Sequence, residues 1–120
     1  MKDSSFKVVQ NVYKLISLVD LSTVNVPNRE RKMLDKLEAS MFDLVEVVCT
    51  ANNLDKSEFK RERLYLESMA LSKLNVIDFL IFRAYSKGYI GEKKTKVIAN
   101  QIEGINKLIK GWMNFEKIVG

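Results

Sequence analysis

The stretch Ile98-Ala99-Asn100-Gln101-Ile102-Glu103-Gly104-Ile105-Asn106-Lys107-Leu108-Ile109-Lys110-Gly111-Trp112 decides the fold. Ile98, Ile102, Ile105, Leu108, Ile109, Trp112 and, just beyond, Phe115 recur at spacings of three and four, while Lys96, Asn100, Lys107 and Asn114 fall opposite. That period is the signature of an amphipathic helix, which needs apolar partners. The same spacing runs upstream. Residues 5–21 predict a first helix with Phe6, Val9, Val12, Tyr13, Ile16 and Val19 on its inner face. A second helix starts near Pro27 or Asn28, since proline suits the first helical turn and disfavours helix just before it. Its stripe is Met33, Leu34, Leu37, Met41, Leu44, Val45 and Val48, and Ala51-Asn52-Asn53 ends it. A third helix spans 57–87, with Asp55 and Glu58 as a capping pair and Gly88 as a left-handed stop. Short links make successive helices antiparallel neighbours. The predicted fold is therefore all-α, an up-down-up-down four-helix bundle forming a single domain over residues 1–120.

The third helix carries two apolar stripes. Leu66, Ala70, Lys73, Ile77, Leu80 and Ala84 cluster on one side, and Leu64, Leu71, Phe79 and Phe82 gather nearly opposite. Either this helix is central and buried by its neighbours, or the second stripe packs against another subunit. Two large aromatics on an outer face form the kind of patch that monomers avoid, so an oligomer interface at Leu64, Leu71, Phe79 and Phe82 is expected.

The missing residue types bear on function. There is no histidine, one cysteine (Cys49), one proline and no glycine-rich loop. Without imidazole the commonest general base and metal ligand is absent, and the Glu-x-x-His pairs of a di-iron bundle cannot form. A lone thiol makes neither an internal disulfide nor a zinc site. Cys49 reads as a half-buried thiol at the flank of the second stripe, Trp112 as core, and Gly104 with Gly111 either as a close-approach flank or as unselected. No enzymatic activity, metal or cofactor is expected. The first residues are too polar for a signal peptide or a span, which places the chain in the cytoplasm.

Twenty Lys and Arg against fifteen Asp and Glu give a formal charge of +5. Alternating helix directions put the link between helices one and two beside the link between three and four. That end holds nine cations, Arg29, Arg31, Lys32, Lys36, Arg83, Lys87, Lys93, Lys94 and Lys96, against Asp20, Glu30, Asp35, Glu38 and Glu92. The opposite end also holds nine, Lys2, Lys7, Lys56, Lys60, Arg61, Arg63, Lys107, Lys110 and Lys117, against seven acids, Asp3, Glu46, Asp55, Glu58, Glu62, Glu67 and Glu116. The first end is thus the more basic, and its nine cations are the candidates for contacting phosphates, with a solvated face as the plain alternative.

Several short motifs carry a resemblance. Val26-Pro27-Asn28-Arg29-Glu30-Arg31 opening helix two, Ala51-Asn52-Asn53 closing it, Leu80-Ile81-Phe82-Arg83-Ala84 and Ile109-Lys110-Gly111-Trp112 are similar, in order and spacing, to the accessory variability determinant family of diversity-generating retroelements. The resemblance covers about residues 10 to 117. That family belongs to a wider group of four-helix bundles that includes proteins encoded in intervening sequences of bacterial 23S ribosomal RNA genes. Asn52-Asn53-Leu54 stands here where the intervening-sequence branch usually has a Glu-Gly pair after an asparagine. The resemblance implies a homopentameric ring that performs no chemistry and binds a reverse transcriptase and template RNA in mutagenic complementary-DNA synthesis. Arg83 matches a family arginine, and Arg29 and Arg31 match the basic run after the proline. A stand-alone bundle of the intervening-sequence type, serving as a structural or interaction module, is the alternative, and the gene neighbourhood separates the two.

Overall fold

The computed structural model describes residues 4–119, with the side chains of residues 6–118. Among the described residues all regular structure is helical: α1 (Ser4–Ser22), a 3-10 turn (Asn28–Glu30) leading into α2 (Arg31–Asn53), α3 (Lys60–Ser86) and α4 (Glu92–Val119). Consecutive helices pack side by side and α4 closes back on α1, while the diagonal pairs α1–α3 and α2–α4 do not approach. The result is a four-helix bundle 47 Å along its longest axis and 24 × 18 Å across. We call the end bearing the α1–α2 and α3–α4 links the upper end and the other the lower end.

Local chemistry sets the boundaries. Gly88 has φ +82, the left-handed conformation that glycine adopts without a Cβ penalty. Gly88 N–H donates to Tyr85 O and Tyr89 N–H to Ala84 O, each at 2.9 Å, which is the Schellman pairing that satisfies the last carbonyls of α3. The other end of α3 departs from expectation. Asp55 Oδ1 accepts from the backbone N–H groups of Ser57 and Glu58 and from the Ser57 hydroxyl, closing a turn that precedes the helix, and α3 begins at Lys60. Asp55 caps that turn, and its carboxyl lies below the usual range because these donors favour the charged form.

Burial corrects two helix faces. In α1 the fully buried residues are Val8, Val12, Leu15 and Val19; Val9 and Ile16 flank them, and Phe6 and Tyr13 are exposed. In α4 the stripe from Ile98 to Trp112 is core, Leu108 lies at its edge, and Phe115 is exposed with the Lys56 ammonium over its ring. The α2 stripe is inward as expected, with Leu34 and Val45 at its margin. Cys49 is half-buried and free. A Cβ added at Gly104 or Gly111 meets nothing within 4 Å, so no helix of the same chain requires a glycine at either position.

Candidate nucleic-acid and subunit interfaces

The upper end is tied together by one carboxylate. Glu30 Oε2 accepts from Lys87 Nζ at 2.9 Å and from the Tyr89 hydroxyl at 2.7 Å, joining the entry to α2 to the exit of α3. The hydrogen bond from Tyr89, then those of the lysine, hold the Glu30 carboxyl below its ordinary pKa. A second ion pair, Lys73 to Asp43 at 3.4 Å, spans α2 and α3 further down. Counting back four residues from Lys87 and forward four from Glu30 sets Arg83 level with residue 34, between Lys32 and Lys36.

All nine predicted cations are exposed, but they do not form one patch. Lys32, Lys36 and Arg83 share the α2–α3 side. Lys93 and Lys94 sit across the bundle, lining a groove between α1 and α4 with Leu18, Leu21, Ser22, Val97 and Ile98. Arg29 lies on the 3-10 turn between them. Three cations are neutralised locally: Arg31 by Asp35 at 2.9 Å, Lys87 by Glu30, and Lys96 by Glu92 at 3.3 Å. Among the described residues, Arg29, Lys32, Lys36, Arg83, Lys93 and Lys94 have no ion-pair partner.

The predicted second stripe of α3 is resolved by its neighbours. Only α2 and α4 pack on α3, so central burial within one chain is ruled out. Phe79 and Phe82 are 60% and 61% exposed, whereas Leu71 packs on the edge of the core and Leu64 is half-buried. Between Tyr65 and Phe82 the exposed positions of α3 are Ser68, Ser72, Asn75, Asp78 and Phe79, so the middle of this face carries a single charge, while exposed Arg61 and Arg83 stand towards its two ends. Two exposed phenylalanines among small polar side chains have the composition of a surface that meets protein.

The lower end holds residues that a charge count treats as solvated. Arg63, Glu67 and Glu116 are 1%, 0% and 5% exposed. The Arg63 Nε donates to Glu116 Oε1 at 2.5 Å, and its Nη1 donates at 2.6 Å to the carbonyls of Ala51 and Leu54, satisfying the C-terminus of α2. Trp112 Nε1 donates to the same Glu116 oxygen at 2.8 Å, and the guanidinium lies 5.4 Å from the Trp112 ring centroid. Both Glu67 oxygens and Glu116 Oε2 are buried without such a donor. Burial, then the hydrogen bond and charge of neighbouring Glu116, raises Glu67 to about 9, so at neutral pH Glu67 keeps its proton. This cluster welds α2, α3 and α4 together.

Burial also changes the charge argument. With one cation and two acids withdrawn, the lower end retains eight cations and five acids, so its surface balance is +3 against +4 for the upper end. Lys2 and Asp3, part of that count, lie outside the described residues. Net charge barely separates the two ends. Among the described residues no group of three or more acidic or thiol side chains is placed to hold a metal, and no helix is long and apolar enough to cross a membrane. No protein-family model matches the chain, and no curated protein matches it.

Proposed function

We propose that this protein is a non-catalytic accessory subunit of a diversity-generating retroelement, which assembles into a ring-like homo-oligomer and binds template RNA and the reverse transcriptase. The carrying observation is the set of exposed, unpaired cations at the upper end, Arg29, Lys32, Lys36, Arg83, Lys93 and Lys94, on links and helix ends held in place by Glu30. Phosphate contacts need cations free of internal partners, and a ring repeats each of them once per subunit. The exposed Phe79 and Phe82 on the outer face of α3 support self-association; the pentameric number and the cytoplasmic setting rest on the family resemblance. The near-equal surface charge of the two ends favours a second reading, a stand-alone interaction module of the intervening-sequence type.

RNA binding measured across a salt series separates the readings. For each pair of true phosphate contacts removed, the log-log salt slope should fall by roughly 1.4 to 1.8. Lys32→Ala with Lys36→Ala, Arg29→Ala with Arg83→Ala, and Lys93→Ala with Lys94→Ala should weaken binding to unrelated RNA sequences alike, and Lys56→Ala with Lys60→Ala should matter less. Equal losses from both ends reject the upper-end site. No binding by the wild type to RNA or to a cognate reverse transcriptase at low salt removes the retroelement assignment.

A further inference from the structure

The groove beside Lys93 and Lys94 is one half of a longer trough. A second depression, lined by Tyr13, Lys14, Ser17, Leu18, Leu21 and Gln101, shares Leu18 and Leu21 with it. Together they follow the α1–α4 seam from Tyr13 to Ser22, about 13 Å at ~1.5 Å per residue, or between two and three helical turns. Leu21 is 69% exposed and Val97 47%. No acidic side chain lines the trough, and among the described residues its three lysines, Lys14, Lys93 and Lys94, have no ion-pair partner. An apolar floor under unpaired cations complements one kind of ligand: apolar anchors at helical spacing, flanked by carboxylates.

We propose that the α1–α4 trough binds an acidic amphipathic helix of a partner protein, seating its apolar residues on Leu18, Leu21 and Val97 and its carboxylates on Lys14, Lys93 and Lys94. This goes beyond RNA binding and does not depend on it. Phosphates recruit lysines but leave Leu21 and Val97 without a role, and a lipid surface engages convex apolar faces better than a channel between two helices.

The probe is a fluorescein-labelled synthetic helical peptide with leucines at i, i+4 and i+7 and glutamates around the rest, beside a scrambled peptide of equal composition. Anisotropy should show saturable binding to the helical peptide, with methyl NMR shifts at Leu18, Leu21 and Val97. Leu21→Ser, and separately Lys93→Glu with Lys94→Glu, should each weaken it at least about tenfold, a loss typical of a central interface residue. Leu21 is exposed, so its serine variant keeps the core. Leu21→Ser should leave RNA affinity unchanged, which distinguishes failure here from failure of the RNA reading. The proposal is overturned if the scrambled peptide binds equally, if Leu21→Ser has no effect, or if Leu21→Ser weakens RNA binding as much as peptide binding. Binding to phosphatidylserine vesicles with the same Leu21 dependence, and none to the peptide, overturns it in favour of a membrane.

Discussion

The two ends of the bundle use the same chemistry, a carboxylate between a cation and an aromatic donor, to opposite effect. At the upper end Glu30 takes Lys87 and Tyr89 at the margin of the bundle, with 36% of the lysine side chain and 15% of the glutamate exposed, so water reaches the pair and weakens it. At the lower end Glu116 takes Arg63 and Trp112 inside the protein, where a partner once removed is not replaced by water. Position in the fold, not residue type, decides which charges hold the structure and which stay available to a ligand.

The sharpest way to break this contrast is Arg63→Met. It leaves Glu116 buried without its cation and the Ala51 and Leu54 carbonyls without their donor, so urea unfolding should report a loss of roughly 3–5 kcal/mol. A loss as small as that of a surface pair would mean the cluster is not a structural weld. Next is Glu67→Gln, read as stability against pH. Glu67 titrates near 9 in the folded protein and near 4.5 when unfolded. Its favourable contribution is therefore complete below about pH 4.5 and is lost as pH rises toward 9, at up to about 1.4 kcal/mol per pH unit. The glutamine variant should lack that decline; parallel profiles for wild type and variant would show that Glu67 is ionised in the folded state.

Phe82→Glu sharpens the contrast on the flank. If the proposed oligomer forms through this face, the variant should be monomeric in light scattering without loss of helicity, because a charge at a subunit interface is desolvated unpaired. A wild type already monomeric at micromolar concentration would remove the α3 interface. The smallest effect belongs to Glu30→Gln, with a urea midpoint barely distinguishable from wild type. A midpoint shift comparable to that of Arg63→Met would erase the difference between the ends.

The legibility of this fold in its sequence varies with how completely one face of each helix is apolar. In α4, Ile98 to Trp112 leave a single direction inward, and the structure follows it. In α1 apolar residues cover most of the circumference, so periodicity alone selects Phe6 and Tyr13 as readily as Val8 and Leu15; packing of the smaller side chains between α2 and α4 decides. The lower-end cluster did leave a mark. Ala70, Leu74, Ile77, Ile81 and Ala84 continue downward onto Glu67 and Arg63, and Ile105, Ile109 and Trp112 continue onto Glu116, each in helical register with a core stripe. A charge count discards register, which is why it treats all three as solvated. The division of the upper cations between two sides depended on the contact between Glu30 and Lys87, a pairing distant in sequence that no local spacing announces.

A buried neutral carboxyl has a bearing on calorimetry as well as on architecture. The unfolded chain carries Glu67 as an anion at pH 7, whereas the folded one carries it as an acid, so folding draws a proton from solution. The native protein then bears one positive charge more than the formal +5 of its sequence. Its apparent unfolding enthalpy should differ between phosphate and Tris by close to the difference in their heats of ionisation.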